Sequence, residues 1–178
     1  DKDDIVRENV AENPKTGSLT LEEMAEHDPV IDVKLAALGN PNIPTRVIHR
    51  MAAGTGKRVR ETIAGNISTP KTILMKSARD RDTNVAYNVA CNPNVPREAL
   101  TILAERRNMA ILVAVVRNKN TPEEALAKLA RNNNRNLRLL IAEHENTSRE
   151  TLEFLLLKAV KEADQKLAET VRLALAKQ

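Results

Sequence analysis

The 178-residue sequence predicts an all-α solenoid of about six helix–turn–helix repeats, each about 26 residues long. Three observations carry that reading. Asn13, Asn40, Asn66, Asn92 and Asn118 recur at intervals of 27, 26, 26 and 26 residues, and one further step reaches His144. Apolar columns keep step with these anchors: eight residues beyond them stand Leu21, Ile48, Leu74, Leu100, Leu126 and Leu152. Two before them stand Ala11, Leu38, Ala64, Ala90, Val116 and Ala142; seven before stand Val6, Val33, Val59, Val85, Ile111 and Leu137. A fixed period of this length is the mark of stacked supersecondary units. The third observation is compositional: 42% of residues are hydrophobic, yet Tyr87 and Phe154 are the only aromatics and Trp is absent. Small aliphatic residues suit thin layers of closely packed helices and exclude an aromatic-filled sandwich or barrel.

Each repeat opens with a helix A of about ten residues. In Thr121-Pro122-Glu123-Glu124 the sequence predicts Thr121 as N-cap, Pro122 at the first helical position and Glu124 closing a capping box. Thr69-Pro70 repeats the signal, and Thr147 with Glu150 offers the box without proline. Leu126, Leu129 and Ala130 have the i, i+3, i+4 spacing of one buried face. A polar turn follows, as in 53–56, 79–82, 106–108 and 131–136. A shorter helix B comes next, with Asp28-Pro29 and Asp82 as predicted starts. The anchor Asn is expected to end helix B in the left-handed conformation, with Pro14, Pro41 and Pro93 preventing continuation.

These elements predict one repeat domain over 1–178: a half-repeat at 1–13, repeats starting near 13, 40, 66, 92, 118 and 144, and capping helices over about 147–178. Gln178 falls at the anchor position 34 residues after His144, so the last copy holds eight extra residues and a longer helix A around Phe154-Leu155-Leu156-Leu157.

The copies resemble the leucine-rich repeat variant family, whose pattern runs roughly V-R-x-x-V-A-x-N-P-x-T-P-x-x-x-L-x-x-L-A. Val6-Arg7, Val10-Ala11, Asn13-Pro14 and Thr16 match it, as do Asn92-Pro93, Pro96, Leu100, Leu103 and Ala104. The resemblance spans essentially the whole chain. It implies a bacterial protein and a right-handed superhelix, in the manner of armadillo and HEAT arrays, of alternating α and 3₁₀ helices. The unit here is slightly longer than the family's, which leaves room for either helix to be full α. One member of the family carries an N-terminal cysteine-rich iron–sulfur module; with Cys91 as its single cysteine, this chain holds no such module. The family brings no established activity.

Cofactor, metal and catalytic sites are expected to be absent. Gly54-Thr55-Gly56-Lys57 fails as a phosphate-binding loop, because Met51 and Arg58 stand where the motif needs Gly and Ser/Thr. His27, His49 and His144 occupy three different repeat positions, without ligand spacing. Cys91 falls in a column with Glu12, Gly39, Gly65, Arg117 and Glu143, which predicts a partly exposed thiol with no neighbouring base. No apolar run approaches the ~18 residues of a membrane span. The start DKDDIVREN, with neither signal peptide nor initiator Met, predicts a cytosolic protein given as a trimmed chain. The function predicted is therefore a non-enzymatic protein-interaction scaffold with a protein partner and no membrane partner.

Charge supplies the alternative. Residues 1–45 carry net −6, residues 46–119 net +9 and residues 120–178 net +1. Many of the cations fall in the A-to-B turns: Lys57, Arg58, Arg79, Arg81, Arg106 and Arg107, extended by Arg131 and Arg135. Stacked turns would make them a basic ridge for sequence-nonspecific binding of nucleic acid or another polyanion, unless Asp80, Asp82 and Glu105 neutralise them. A second cationic column, Arg7, Lys34, Arg60, Arg138 and Arg172, predicts ties between adjacent repeats. On helix B, Tyr87, Leu112, Val113 and Leu139 predict an apolar stripe that would serve as the protein interface if exposed.

Overall fold

The computed structural model describes residues 2–52 and 56–177. Among them lie thirteen α-helices and no strand. The B helices are α1 (Asp4–Glu12), α3 (Ile31–Gly39), α5 (Lys57–Gly65), α7 (Thr83–Cys91), α9 (Met109–Arg117), α11 (Arg135–Glu143) and α13 (Gln165–Leu175). The A helices are α2 (Ser18–His27), α4 (Thr45–Ala52), α6 (Lys71–Ser77), α8 (Arg97–Leu103), α10 (Glu123–Ala130) and α12 (Arg149–Lys161). Of the two alternatives for the repeat, full α in both helices is the one found. The turn residues Ala53, Gly54 and Thr55, the glycine motif that includes two of them, and the terminal anchor Gln178 lie outside the described residues.

The chain forms two compact units, Asp1–Asn94 and Val95–Gln178. In the first, α1, α3, α5 and α7 stack side by side with α2, α4 and α6 against them; in the second, α9, α11 and α13 stack with α8, α10 and α12. The columns read from the sequence supply most of the core, except that in the column seven before the anchors Val6 is exposed and Val59 only partly buried. Leu21, Ile48 and Leu74 in the first unit, and Leu100, Leu126 and Leu152 in the second, are completely or almost completely buried. So are Ala11, Leu38, Ala64 and Ala90, and Val116 and Ala142. Periodicity finds these because a residue at i, i+3 or i+4 shares a helix face whatever the tertiary partner.

From α6 to α11 the expected relative lengths of A and B are reversed, whereas α2 and α12 are longer than the B helices that follow them. B helices up to α11 are all nine residues, while A helices up to α10 run from seven to ten. Proline is the reason. Pro70, Pro96 and Pro122 are extended cap residues rather than first helical residues, with ψ of 143°, 149° and 154°, so helix A starts one position later. The last pair is longer, as the eight extra residues require: α12 has thirteen residues, Glu162 is its C-cap, and Ala163 just beyond, with φ of 54°, is the left-handed stop.

Thr121 does not cap α10. It is fully buried, and its hydroxyl turns back to donate to Val115 O at 2.5 Å, satisfying a carbonyl in the last turn of the preceding B helix. Thr69 and Thr147 do the same to Ile63 O and Ile141 O, both at 2.5 Å, and Thr16 to Val10 O. Ile43 and Val95 fill the same column as methyl-only counterparts. Ser148, not Thr147, caps α12 by accepting from Thr151 N.

The A-to-B turns are ordered by Asx side chains. Asp28, Asp80 and Asn132 each accept from the backbone N–H two residues on, those of Val30, Asp82 and Asn134. Asp82, Asn108 and Asn134 then cap α7, α9 and α11. The Asp82 prediction holds. Asp28 instead closes α2 and orders the turn, while Val30 precedes α3.

Candidate functional site

The anchor asparagines form the most regular polar feature of the molecule, and it is structural. None is left-handed: Asn13, Asn40, Asn66 and Asn92 all have φ between −70° and −64° with ψ between 122° and 132°. A following proline disfavours the helical region for the residue before it, which accounts for three of them. The extended backbone aims each amide across to the neighbouring repeat. Asn66 Nδ2 donates to Leu38 O at 2.6 Å and Asn40 O at 3.0 Å, while its Oδ1 accepts from Ser68 N at 2.7 Å. Asn40 reaches Ala11 O and Asn13 O, and Asn92 reaches Ala64 O and Asn66 O. The result is an asparagine ladder through the first unit.

In the second unit His144 takes the same place. Its Nδ1 accepts from Asn146 N at 3.0 Å, which makes Nε2 the donor to Asn118 O at 3.1 Å. Two positions beyond the anchors runs a second rung: Asn42 donates to Pro14 O, Ser68 to Pro41 O, Asn94 to Ile67 O and Asn146 to Lys119 O.

Three of the five members of the second cationic column, Arg7, Arg60 and Arg138, tie repeats together as expected, whereas Lys34 donates to Glu26 O of the helix just before its own. Arg7 on α1 forks onto Asp28, with Nε to Oδ2 at 2.7 Å and Nη2 to Oδ1 at 3.2 Å. Arg60 on α5 meets Asp80 at 2.7 Å, and Arg138 on α11 meets Glu162 at 2.5 Å while also donating to Asn132 O and Asn133 O. Each cation thus clamps the turn that follows in the next repeat. The Arg7 hydrogen bond holds the Asp28 carboxyl below its ordinary range against the opposing effect of burial. For Asp80 burial is the largest influence and pushes upward, but Arg60 and the Asp82 N–H together bring it below the ordinary range.

Several members of the basic ridge are engaged with carboxylates. Lys57 contacts Asp82 at 3.1 Å and Glu61 at 3.5 Å, Arg58 contacts Asp32 at 2.5 Å, and Arg135 forks onto Asp164 at 2.6 and 2.8 Å. The acids expected to neutralise turn arginines pair elsewhere in part: Asp80 takes Arg60 and Glu105 takes Lys128. Arg79 and Arg81 in the first unit, and Arg107 and Arg131 in the second, are exposed; Arg106 is half-buried.

The structure also places Arg79 and Arg81 where sequence reasoning did not look. They border a cleft of about 620 Å³ with His49, Lys76 and the Arg60–Asp80 pair, over a floor of Ala52, Ile63 and Ile73. No repeat column announces it, because its walls come from different positions of different copies.

The apolar stripe is only partly at the surface. Tyr87 is 41% exposed. Val113 and Leu139 are half-buried. Leu112, expected at the interface, is buried at 4% exposure and belongs to the core, since α9 is apolar on almost every side. Cys91 is exposed, as its column implied. Among the described residues, no three His, Cys, Asp or Glu side chains gather as a metal-binding group, and no helix is long and apolar enough to cross a membrane.

Neither a family model nor a curated protein matches the chain. Among solved structures, one described as a leucine-rich repeat variant with a novel repetitive structural motif is similar over 99% of this chain, at 26% identity and a TM-score of 0.64. The chain spans 66% of that protein's length. Computationally designed armadillo repeat proteins for modular peptide recognition match at 14% identity and a TM-score of 0.34, over 97% of this chain and 91% of theirs. The columns and the fold thus lead to one assignment: this chain is an α-solenoid similar to the leucine-rich repeat variant in both its sequence pattern and its structure.

Proposed function

We propose that the protein is a non-enzymatic scaffold that binds another protein through its B helices, as one repeat array over 1–178. The observation that supports this most is the contrast between repeat columns. Buried positions stay apolar in copy after copy, whereas exposed positions change in charge, size and polarity along the array. The column one before the anchors reads Glu12, Gly39, Gly65 and Cys91 in the first unit, then Arg117 and Glu143 in the second, all exposed. The column five before them reads Glu8, Leu35, Glu61 and Tyr87, then Val113 and Leu139, all half-buried except Tyr87, which is exposed. Framework residues build the ladder and the core; the varying ones do not. Tyr87, the one aromatic residue of the first unit, has the amphipathic character favoured at interfaces.

A photo-crosslinking residue placed at Tyr87, and separately at the exposed Lys71 of α6, tests this in extract of the source cell. One discrete protein adduct from Tyr87 and none from Lys71 is expected. Equal labelling from both, or a nucleic-acid adduct, would overturn the reading. Nucleic-acid binding through the ridge is the weaker alternative, because Lys57, Arg58 and Arg135 already hold carboxylates. The near absence of aromatic side chains also leaves no platform on which bases could stack.

A further inference from the structure

We infer that the cleft between α4, α5 and α6 binds an acidic peptide segment carrying an aliphatic side chain at its centre. The site lies within the first unit and uses none of Tyr87, Leu112, Val113 or Leu139, so it stands apart from the scaffold reading.

Three features support it. The cleft holds about 620 Å³, within the range of preformed ligand sites. Its polar wall is cationic: Lys76, Arg79 and Arg81 face one carboxylate, Asp80, which is already bound to Arg60 at 2.7 Å. That leaves the three cations available to an incoming anion, with Arg60 and Asp80 forming a neutral, ordered corner. Its floor is aliphatic, made by Ala52, Ile63 and Ile73.

A phosphodiester backbone would use the cations and gain nothing from that floor. A peptide with carboxylates on both sides of a leucine would use both, burying its side chain while Arg79 and Arg81 take the flanking acids in charge-assisted hydrogen bonds. Arginine suits this role, since its planar fork matches a carboxylate. Arg79 is partly fixed already, with Nη1 donating to Met75 O at 3.5 Å.

The test is fluorescence anisotropy on the full chain with a labelled pentapeptide that has leucine between two pairs of glutamates. Three further probes accompany it: the same peptide with lysines for glutamates, the same with serine for leucine, and a labelled duplex DNA. Saturable binding of the first probe is expected, at least tenfold tighter than the serine or lysine versions. Arg79→Glu with Arg81→Glu should weaken it at least tenfold. The milder Arg79→Gln with Arg81→Gln should weaken it less, with circular dichroism showing both variants as helical as the parent. Arg107→Glu with Arg131→Glu, a charge-matched change in the second unit, should leave it unaltered. The inference fails if no binding is seen at millimolar peptide, or if the serine probe binds equally. It fails too if duplex DNA binds more tightly than the acidic peptide, or if the second-unit variant loses as much as the cleft variant.

Discussion

Replacing Asn66 by Ala removes one rung of the ladder. The side chain is buried at 3% exposure and makes three hydrogen bonds, two given to the carbonyls of Leu38 and Asn40 and one taken from Ser68 N. At a net value of about 1 kcal/mol each, the loss is about 3 kcal/mol, although Asn40 O still accepts from Ile43 N. For a chain of this size that corresponds to a fall of about 6–12 °C in Tm. Asn66→Asp is the sharper variant. It keeps the shape and the bond from Ser68 N, but sets a carboxylate oxygen where Nδ2 faced two carbonyl oxygens. It should therefore destabilise more than Ala, whereas a purely steric or helix-stop role would favour Asp. Far-ultraviolet circular dichroism on heating is the assay, as the chain has no Trp. A loss below about 0.5 kcal/mol for Ala, or Asp matching the parent, would refute the ladder as a source of stability.

Three further outcomes follow from the same geometry. His144→Asn should restore the rung used in the other copies and leave the Tm unchanged or higher, whereas His144→Ala, losing two hydrogen bonds, should cost about 1–3 kcal/mol; thermal melts of both variants decide it. Thr121→Val should cost no more than about 1 kcal/mol, because the neighbouring copy already holds Val95 there and Val115 O still accepts from Asn118 N; a larger loss by urea titration would show that the hydroxyl does more than return a hydrogen bond. Asp28 and Asp80 have carboxyls below their ordinary range, so their contribution is complete above it and is lost as the pH falls from about 4 through the folded-state values. In Arg60→Met the burial of Asp80 is less opposed, its carboxyl rises, and acid unfolding followed by circular dichroism should begin at a higher pH than in the parent.

The sequence alone determined the element order, the period, the buried columns and the Asp82 cap. All of these are local: a helix face repeats every three or four residues, and Asp82 accepts from N–H groups only two and three residues away. The likeness to the leucine-rich repeat variant was legible for the same reason, because the columns that carry it are the columns that pack.

Tertiary structure decided what the same residues do with their polar atoms. Asn40, Asn66 and Asn92 read as helix stops, yet their amides serve carbonyls 26 to 29 residues earlier in the chain. Thr121 reads as an N-cap, yet its hydroxyl turns back to the preceding helix. Leu112 sits beside Val113 in the sequence, and only packing buries the first while leaving the second half open. The cleft beside Arg79 and Arg81 has no signature beyond those two charges, since its ion pair and its aliphatic floor are each shared between two adjacent repeats. Periodicity records which way a side chain points from its own helix; which donor meets which acceptor depends on the backbone that stacking brings opposite it.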